Sequence, residues 1–250
     1  MQIELVTKVA RKVTKTILLN SLAHSSYFRD LTGIGYFGLN KIDRQIIKYF
    51  KHDSRYFVEL GANDGVQQSN TLTLERYHGW KGILIEPHPG NFNKLTKNRS
   101  RSNMFENCAC VNDGFPKKSI ELLYSDLMTI QTEGVQEIPD PMNHALEGQE
   151  FLRHEIVKAF SAPARTLTQI LETNNAPKRM EFLSLDVEGG ELGVLQGLDF
   201  KKYKFDVICV ETRDEIRVRS ILETNGYSLV ERISHHDYVF LEQKYLQDNF

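Results

Sequence analysis

The stretch 55–65, Arg-Tyr-Phe-Val-Glu-Leu-Gly-Ala-Asn-Asp-Gly, constrains this chain more than any other. Residues 55–60 are apolar and rich in aromatic and branched side chains, the composition of a buried strand, and Gly61 and Gly65 then bracket Asn63 and Asp64. That is a strand ending in a tight turn. Val66, Leu72 and Leu74 recur with helical spacing among polar residues, which predicts a helix opening from the turn with its free N–H groups at the strand's carboxyl end. Such a junction seats a ligand.

The acids around the glycines restrict the ligand's chemistry. Dinucleotide folds use G-x-G-x-x-G so that pyrophosphate can lie on the helix N-terminus. Here the third glycine is missing, and Glu59 and Asp64 supply two carboxylates that repel a pyrophosphate. They suit a ligand with positive charge and ribose hydroxyls, since a carboxylate accepts charge-assisted hydrogen bonds and is attracted to a cation. S-adenosylmethionine has both features. A purely structural glycine turn with solvated acids is the competing reading.

At 250 residues the chain can bury a sizeable core. We divide it into a lead-in, residues 1–39, and one α/β domain, residues 40–250. A net charge of −2 gives no general reason to expect a nucleic-acid partner. Cys108, Cys110 and Cys209 lack C-x-x-C spacing, which argues against disulfides or structural zinc and for the reducing cytoplasm. No apolar run is long enough to cross a membrane. Val6, Val9, Ala10, Val13 and Ile17 form one face of a helix that is otherwise basic. Such a helix covers the domain or a second copy in a homo-oligomer more often than it lies on a membrane.

Further along, Asn40 is expected to cap a helix carrying Ile42, Ile46 and Ile47. Residues 83–86, Ile-Leu-Ile-Glu, form a second buried strand ending in Glu86, 25 residues beyond Gly61. An acid at this point of a βαβ unit accepts hydrogen bonds from ribose hydroxyls, or else caps the following helix, in which Pro89 suits the first turn. Residues 105–111 read as a third strand, with Asp113 in the turn after it. Residues 125–163 hold three prolines, His144 and His154, and one periodic piece at 151–160; so long an insert is expected to act as a lid forming much of an acceptor pocket. A fourth strand, 180–185, opens through Asp186, Glu188 and two glycines into a helix, and a fifth, 205–211, ends in Glu211. Asp186 and Glu188 share a face and can act together as a base or as oxygen ligands of a hard cation, unless Glu188 and Glu191 merely favour the helix N-terminus. Residues 227–233 and 238–241 read as a terminal hairpin with His235 and His236 in its turn.

Taken together, the runs 57–65, Ser69-Asn70-Thr71, 80–87, 182–189 with Glu191 and Leu195, and Val210-Glu211 resemble the FkbM family of S-adenosylmethionine-dependent methyltransferases. The resemblance covers roughly residues 35–241. It implies a Rossmann-like class I fold: a seven-stranded, mostly parallel sheet with helices on both faces and an antiparallel last strand. It also implies O-methylation of a hydroxyl on a sugar, glycan or related small molecule. Cofactor contacts carry over to Glu59, Gly61, Asn63, Asp64, Gly65, Ser69, Asn70 and Glu86, less directly to Asp113, and the acceptor side to Asp186 and Glu188.

In the mechanism expected from these residues, Asp186 or Glu188 orients or deprotonates the acceptor hydroxyl. The alternative is action through a divalent cation held by Asp186, Glu188 and Glu211. A nucleotide-dependent oxidoreductase is disfavoured by the glycine pattern, and a non-catalytic module that keeps the fold remains a second alternative. The chain has neither the Asn-Pro-Pro-aromatic run of amino methylation nor a Pro-Cys nucleophile for carbon methylation.

Overall fold

The computed structural model describes residues 25, 29, 32–51, 55–134, 137–152 and 157–250. The basic amphipathic segment read at residues 6–17 lies outside them. Eleven strands are described: β1 (Tyr56–Leu60), β2 (Lys81–Ile85), β3 (Met104–Glu106), β4 (Ala109–Cys110), β5 (Ser119–Tyr124), β6 (Ile130–Gln131), β7 (Lys158–Arg165), β8 (Arg179–Leu185), β9 (Lys204–Glu211), β10 (Tyr227–Arg232) and β11 (Asp237–Glu242).

Seven of them form one sheet in the order β3-β2-β1-β8-β9-β11-β10. The five strands from β3 to β9 pair in parallel, whereas β11 runs antiparallel to both β9 and β10. This is the expected seven-stranded class I arrangement, with the terminal hairpin where the sequence placed it. Both faces of the sheet are covered, which is why its strands are continuously apolar. On one face Val58, Leu60, Leu183 and Leu185 pack against Leu167 and Ile170, Leu192 and Leu195, and Val218 and Leu222 of three helices, Leu167–Thr173, Glu191–Gln196 and Glu215–Thr224. On the other, Phe57, Leu84, Phe182 and Val207 pack against Ile42, Ile46, Leu74, Leu95 and Tyr245. Chain order reverses between β1 and β8, so the crevice at their carboxyl ends is the place for a ligand.

Several local expectations are corrected. The helix after the glycine turn starts only at Leu72 and runs to His78. Residues 61–71 instead form an extended loop, because Asp64 Oδ1 accepts hydrogen bonds from Val66 N and Gln67 N and closes a turn. Asn40 does not cap: it has φ 50° inside a short 3-10 turn, Leu39–Lys41, that precedes the helix Ile42–Ile46. The single third strand is split. Asn107 donates to the carbonyls of Glu86 and Pro87, which turns the chain so that β3 stays in the main sheet and β4 leaves it.

The insert is also more regular than its composition suggests. It supplies β6, the helix Pro141–Leu152 and most of β7, and with β4 and β5 these strands form a second sheet, ordered β4-β7-β5-β6. The strand β7 hides in the sequence because Ala162 is its one buried side chain and Pro163 interrupts it. Among the described residues no helix is long and apolar enough to cross a membrane.

The loop after β1 is tied down by Arg99, whose side chain is fully buried at the end of the helix Pro89–Asn98. Its guanidinium donates to Glu59 Oε2 (3.2 Å), Ser69 Oγ (3.1 Å), Thr71 Oγ1 (2.8 Å) and Glu75 Oε2 (2.8 Å). Removing one member of a buried ion pair strands the other charge. Arg99→Ala is therefore expected to lower the unfolding free energy by about 3–5 kcal/mol in urea denaturation, against less than about 0.5 kcal/mol for Arg101→Ala on the surface.

Candidate active site

A cleft opens where β1, β2, β8 and β9 end, and the second sheet forms its outer wall. Gly61 sits at its centre with φ +76°, and a Cβ there would lie 1.9 Å from the carbonyl oxygen of Asp186, so the close approach of β1 and β8 admits glycine alone. Asn63, Gln67 and Gln68 of the loop line one side with Glu86 and Pro87. Cys108, Ala109 and Cys110 follow, then Asp126–Thr129 from the insert, and Asp186, Glu188, Glu211 and Arg213 complete the opposite end. Seven described non-glycine residues have positive φ, and four of them, Asn63, Gln68, Asp126 and Glu188, line this cleft. Strained backbone of this kind persists where the surrounding structure holds it and clusters at functional sites.

At one end of the cleft, Glu86 is buried and accepts hydrogen bonds from Asn63 N (2.9 Å) and His88 N (2.8 Å). Burial pushes its carboxyl up to about 7, with nearby Asp126 adding to the rise and the two N–H donors opposing it. Asn63 also donates through Nδ2 to Asp126 Oδ1 at 3.2 Å.

Other predicted contacts serve the scaffold. Glu59 is buried and does not line the cleft; its oxygens take Ser69 Oγ, Asn70 N, Thr71 Oγ1 and Arg99. Asp64 closes its own turn, and Gly65 packs against Arg99 and Leu95. Both acids thus spend hydrogen bonds within the scaffold, and neither lines the cleft. Ser69 lines the cleft while donating to Glu59, and Asn70 donates through its side chain to Ser184 Oγ. Asp113 is exposed and away from the cleft.

At the end of the cleft opposite Glu86, burial raises the Asp186 carboxyl well above its ordinary value, helped by Glu211 and Glu188. Asp186 shares that end of the cleft with Glu211, whose carboxyl is pushed up to about 7 by burial and by Glu188. Two adjacent carboxyls in this setting titrate as a pair that retains a proton near neutrality. Glu188, at φ 51°, has its Oε2 2.9 Å from Nε2 of His144 on the helix Pro141–Leu152, at ion-pair distance but outside hydrogen-bond geometry. Glu191 turns back to accept Val187 N, and burial followed by Glu137 raises its carboxyl well above the usual range. Among the described residues no group of three or more His, Cys, Asp or Glu side chains is arranged to hold a metal ion, so the divalent-cation alternative finds no ligand set there. Burial pushes the Cys108 thiol up to about 12 and the Cys110 thiol well up also, which removes both as nucleophiles.

Sequence reasoning missed Asp126 and His144 as members of the site and assigned Glu211 only to a metal. For Asp126 the one available signal was an acid directly after a strand-like run.

The family model described as Methyltransferase FkbM domain matches residues 59–229. A fungal relative, Methyltransferase 1 of Beauveria bassiana (strain ARSEF 2860), is 26% identical over 199 residues, spanning 72% of this chain and 75% of that one. Among solved structures, the precorrin-6y C5,15-methyltransferase of Geobacter metallireducens GS-15 aligns with 14% identity over 80% of this chain and 86% of its own, TM-score 0.37. A SAM-dependent methyltransferase from Aquifex aeolicus aligns with 9% identity over 83% and 89%, TM-score 0.40.

The raised Glu86 carboxyl has a measurable consequence. Its ordinary value is 4.5, so between there and about 7 the folded state holds a proton that the unfolded chain has lost. The resulting stabilisation is complete below about 4.5 and is lost as pH rises through about 7. Thermal midpoints measured from about pH 5 to 8 should fall on this account, and Glu86→Gln should flatten that part of the slope. An unchanged slope in the variant would contradict the assignment.

Proposed function

From the premise that this chain belongs to the FkbM family of S-adenosylmethionine-dependent methyltransferases, we propose that it methylates a hydroxyl of a sugar, glycan or related small-molecule acceptor. The observation that carries this reading is that Asp186 and Glu211 both line the end of the cleft opposite Glu86, each carboxyl raised by burial and by the acids beside it. The residues fit the cofactor by their chemistry: carboxylates accept ribose hydroxyls and attract a sulfonium, and Arg213 is the one cationic side chain among the described residues lining the cleft.

When bound, S-adenosylmethionine supplies a methyl group on a positively charged sulfur. The protein's own task is to align the acceptor oxygen and to take its proton as the new C–O bond forms and the C–S bond breaks. Asp186 keeps a proton at rest because burial and its acidic neighbours disfavour its charge. Glu211, near neutrality in its titration, is the ionised partner able to take the hydroxyl proton. Glu188 lies beside the pair and orients the acceptor through a further hydrogen bond. A group of carboxylates facing a single guanidinium favours neutral polyhydroxylated acceptors over phosphorylated ones. The three free cysteines accord with a reducing compartment, and we place the reaction in the cytoplasm.

Asp186→Asn and Glu211→Gln each remove the pair's ability to share a proton. Each is expected to lower kcat by about 10²–10⁴ while S-adenosylhomocysteine affinity stays within about threefold. In the wild type, turnover should rise with pH through about 7. Near-normal kcat in both variants, or a parallel loss of cofactor binding, would sink the assigned role. In thermal-shift assays S-adenosylhomocysteine should stabilise the protein and NAD should not; the reverse would favour an oxidoreductase.

A further inference from the structure

We propose that Asp126, contributed by the inserted sheet, is a cofactor-recognition residue that brackets the ribose diol together with Glu86. This rests on the cofactor reading above and adds a contact from outside the Rossmann core.

Three observations point the same way. First, Asn63 stands between the two acids, its backbone N–H on Glu86 Oε2 and its side-chain amide on Asp126 Oδ1. The same residue thereby fixes the distance between two carboxylates that line one cleft. Second, Asn63 and Asp126 both have left-handed backbones, at φ 46° and 51°, a conformation costly outside glycine that is retained here at both ends of one hydrogen bond. Third, the wall carrying Asp126 is locked onto the corner carrying Glu86. His88, two residues past Glu86, stacks on Tyr124 with ring centroids 3.9 Å apart and meets Phe160 edge-on at 5.0 Å. Ser125 Oγ donates to the Ala145 carbonyl of the inserted helix at 2.7 Å, and Gly148 lets that helix approach Ser125 and Met128 closely.

The chemistry then selects the ligand group. Above about pH 7, where Glu86 is ionised, its carboxylate only accepts hydrogen bonds. The carboxylate of Asp126 takes one from Asn63, and each oxygen of Glu86 takes one from a backbone N–H, so accepting capacity remains on both. Two close carboxylates also repel, as the upward push of Asp126 on Glu86 records. A vicinal diol offers two O–H donors at a spacing that serves both acids and relieves that repulsion. Asp113, on the exposed turn, cannot make such a contact.

The test is calorimetric titration of the full-length protein with S-adenosylhomocysteine and with its 2′-deoxy and 3′-deoxy forms. Asp126→Ala is expected to bind the parent ligand about tenfold more weakly than wild type, yet to bind one of the deoxy forms with wild-type affinity, because the hydroxyl that donates to Asp126 is then already absent. Asp126→Asn keeps the side-chain shape and should give the same pattern if the alanine variant fails to fold. An equal penalty on all three ligands, or none, overturns the proposal. Failure of the wild type to bind S-adenosylhomocysteine at all would instead overturn the cofactor reading and this proposal with it.

Discussion

The buried pairing of Glu59 with Arg99 is the contact on which the site's geometry depends. A loop as irregular as 61–71 has no ladder of its own hydrogen bonds, and a loop in that state would move freely. Here the last residue of one strand but one, Glu59, receives a serine, a threonine, a backbone N–H and a guanidinium at once, and Arg99 carries the tie onward to Glu75 of the next helix. Each buried charge is met by opposite charge or by a donor, the condition under which burial of ions is tolerated. With the loop so fixed, Asn63 and Gln68 can keep left-handed backbones and present their amides to the cleft. The acid that looks most like a ligand contact in the sequence therefore holds the loop residues that line the cleft in place.

At the other end of the cleft the controlling quantity is charge density. Asp186, Glu188, Glu191 and Glu211 come together because β8 and β9 end side by side, and the described lining answers them with Arg213 alone. Burial with few cations nearby keeps protons on the most enclosed members, and Glu211 at about 7 marks where the group exchanges a proton near neutrality. A cationic methyl donor lowers the electrostatic cost of ionising such a group.

The second sheet shows how a methyltransferase core acquires a particular pocket. Its strands leave the main sheet at Asn107 and return before β8, so the inserted wall is anchored at both ends to elements that already define the cleft. Stacking of His88 on Tyr124 joins wall to core. The helix Pro141–Leu152 then reaches both Ser125, beside Asp126, and Glu188, so one inserted element touches each end of the cleft.

The parallel core was legible in the sequence because strands buried on both faces read as unbroken apolar runs, and the acids at their ends are found by simple position. Gly61, Glu86, Asp186 and Glu188 were singled out for that reason and line the cleft in the fold, and the terminal hairpin was read in the same way. The roles of Glu59 and Asp64 were not legible. A carboxylate at a strand end has the same sequence signature whether it meets a ligand or an arginine some 40 residues away, and only the folded chain brings Arg99 to Glu59. Asp126 and His144 lay hidden for a related reason: they stand in a short turn and on a helix of an insert whose sheet is half-exposed and broken by proline, and its place against the core is decided by long-range packing. Sequence alone thus determined the layers and the mouth of the cleft, through local burial pattern. Tertiary structure decided which acids face that cleft, because that depends on partners far apart along the chain.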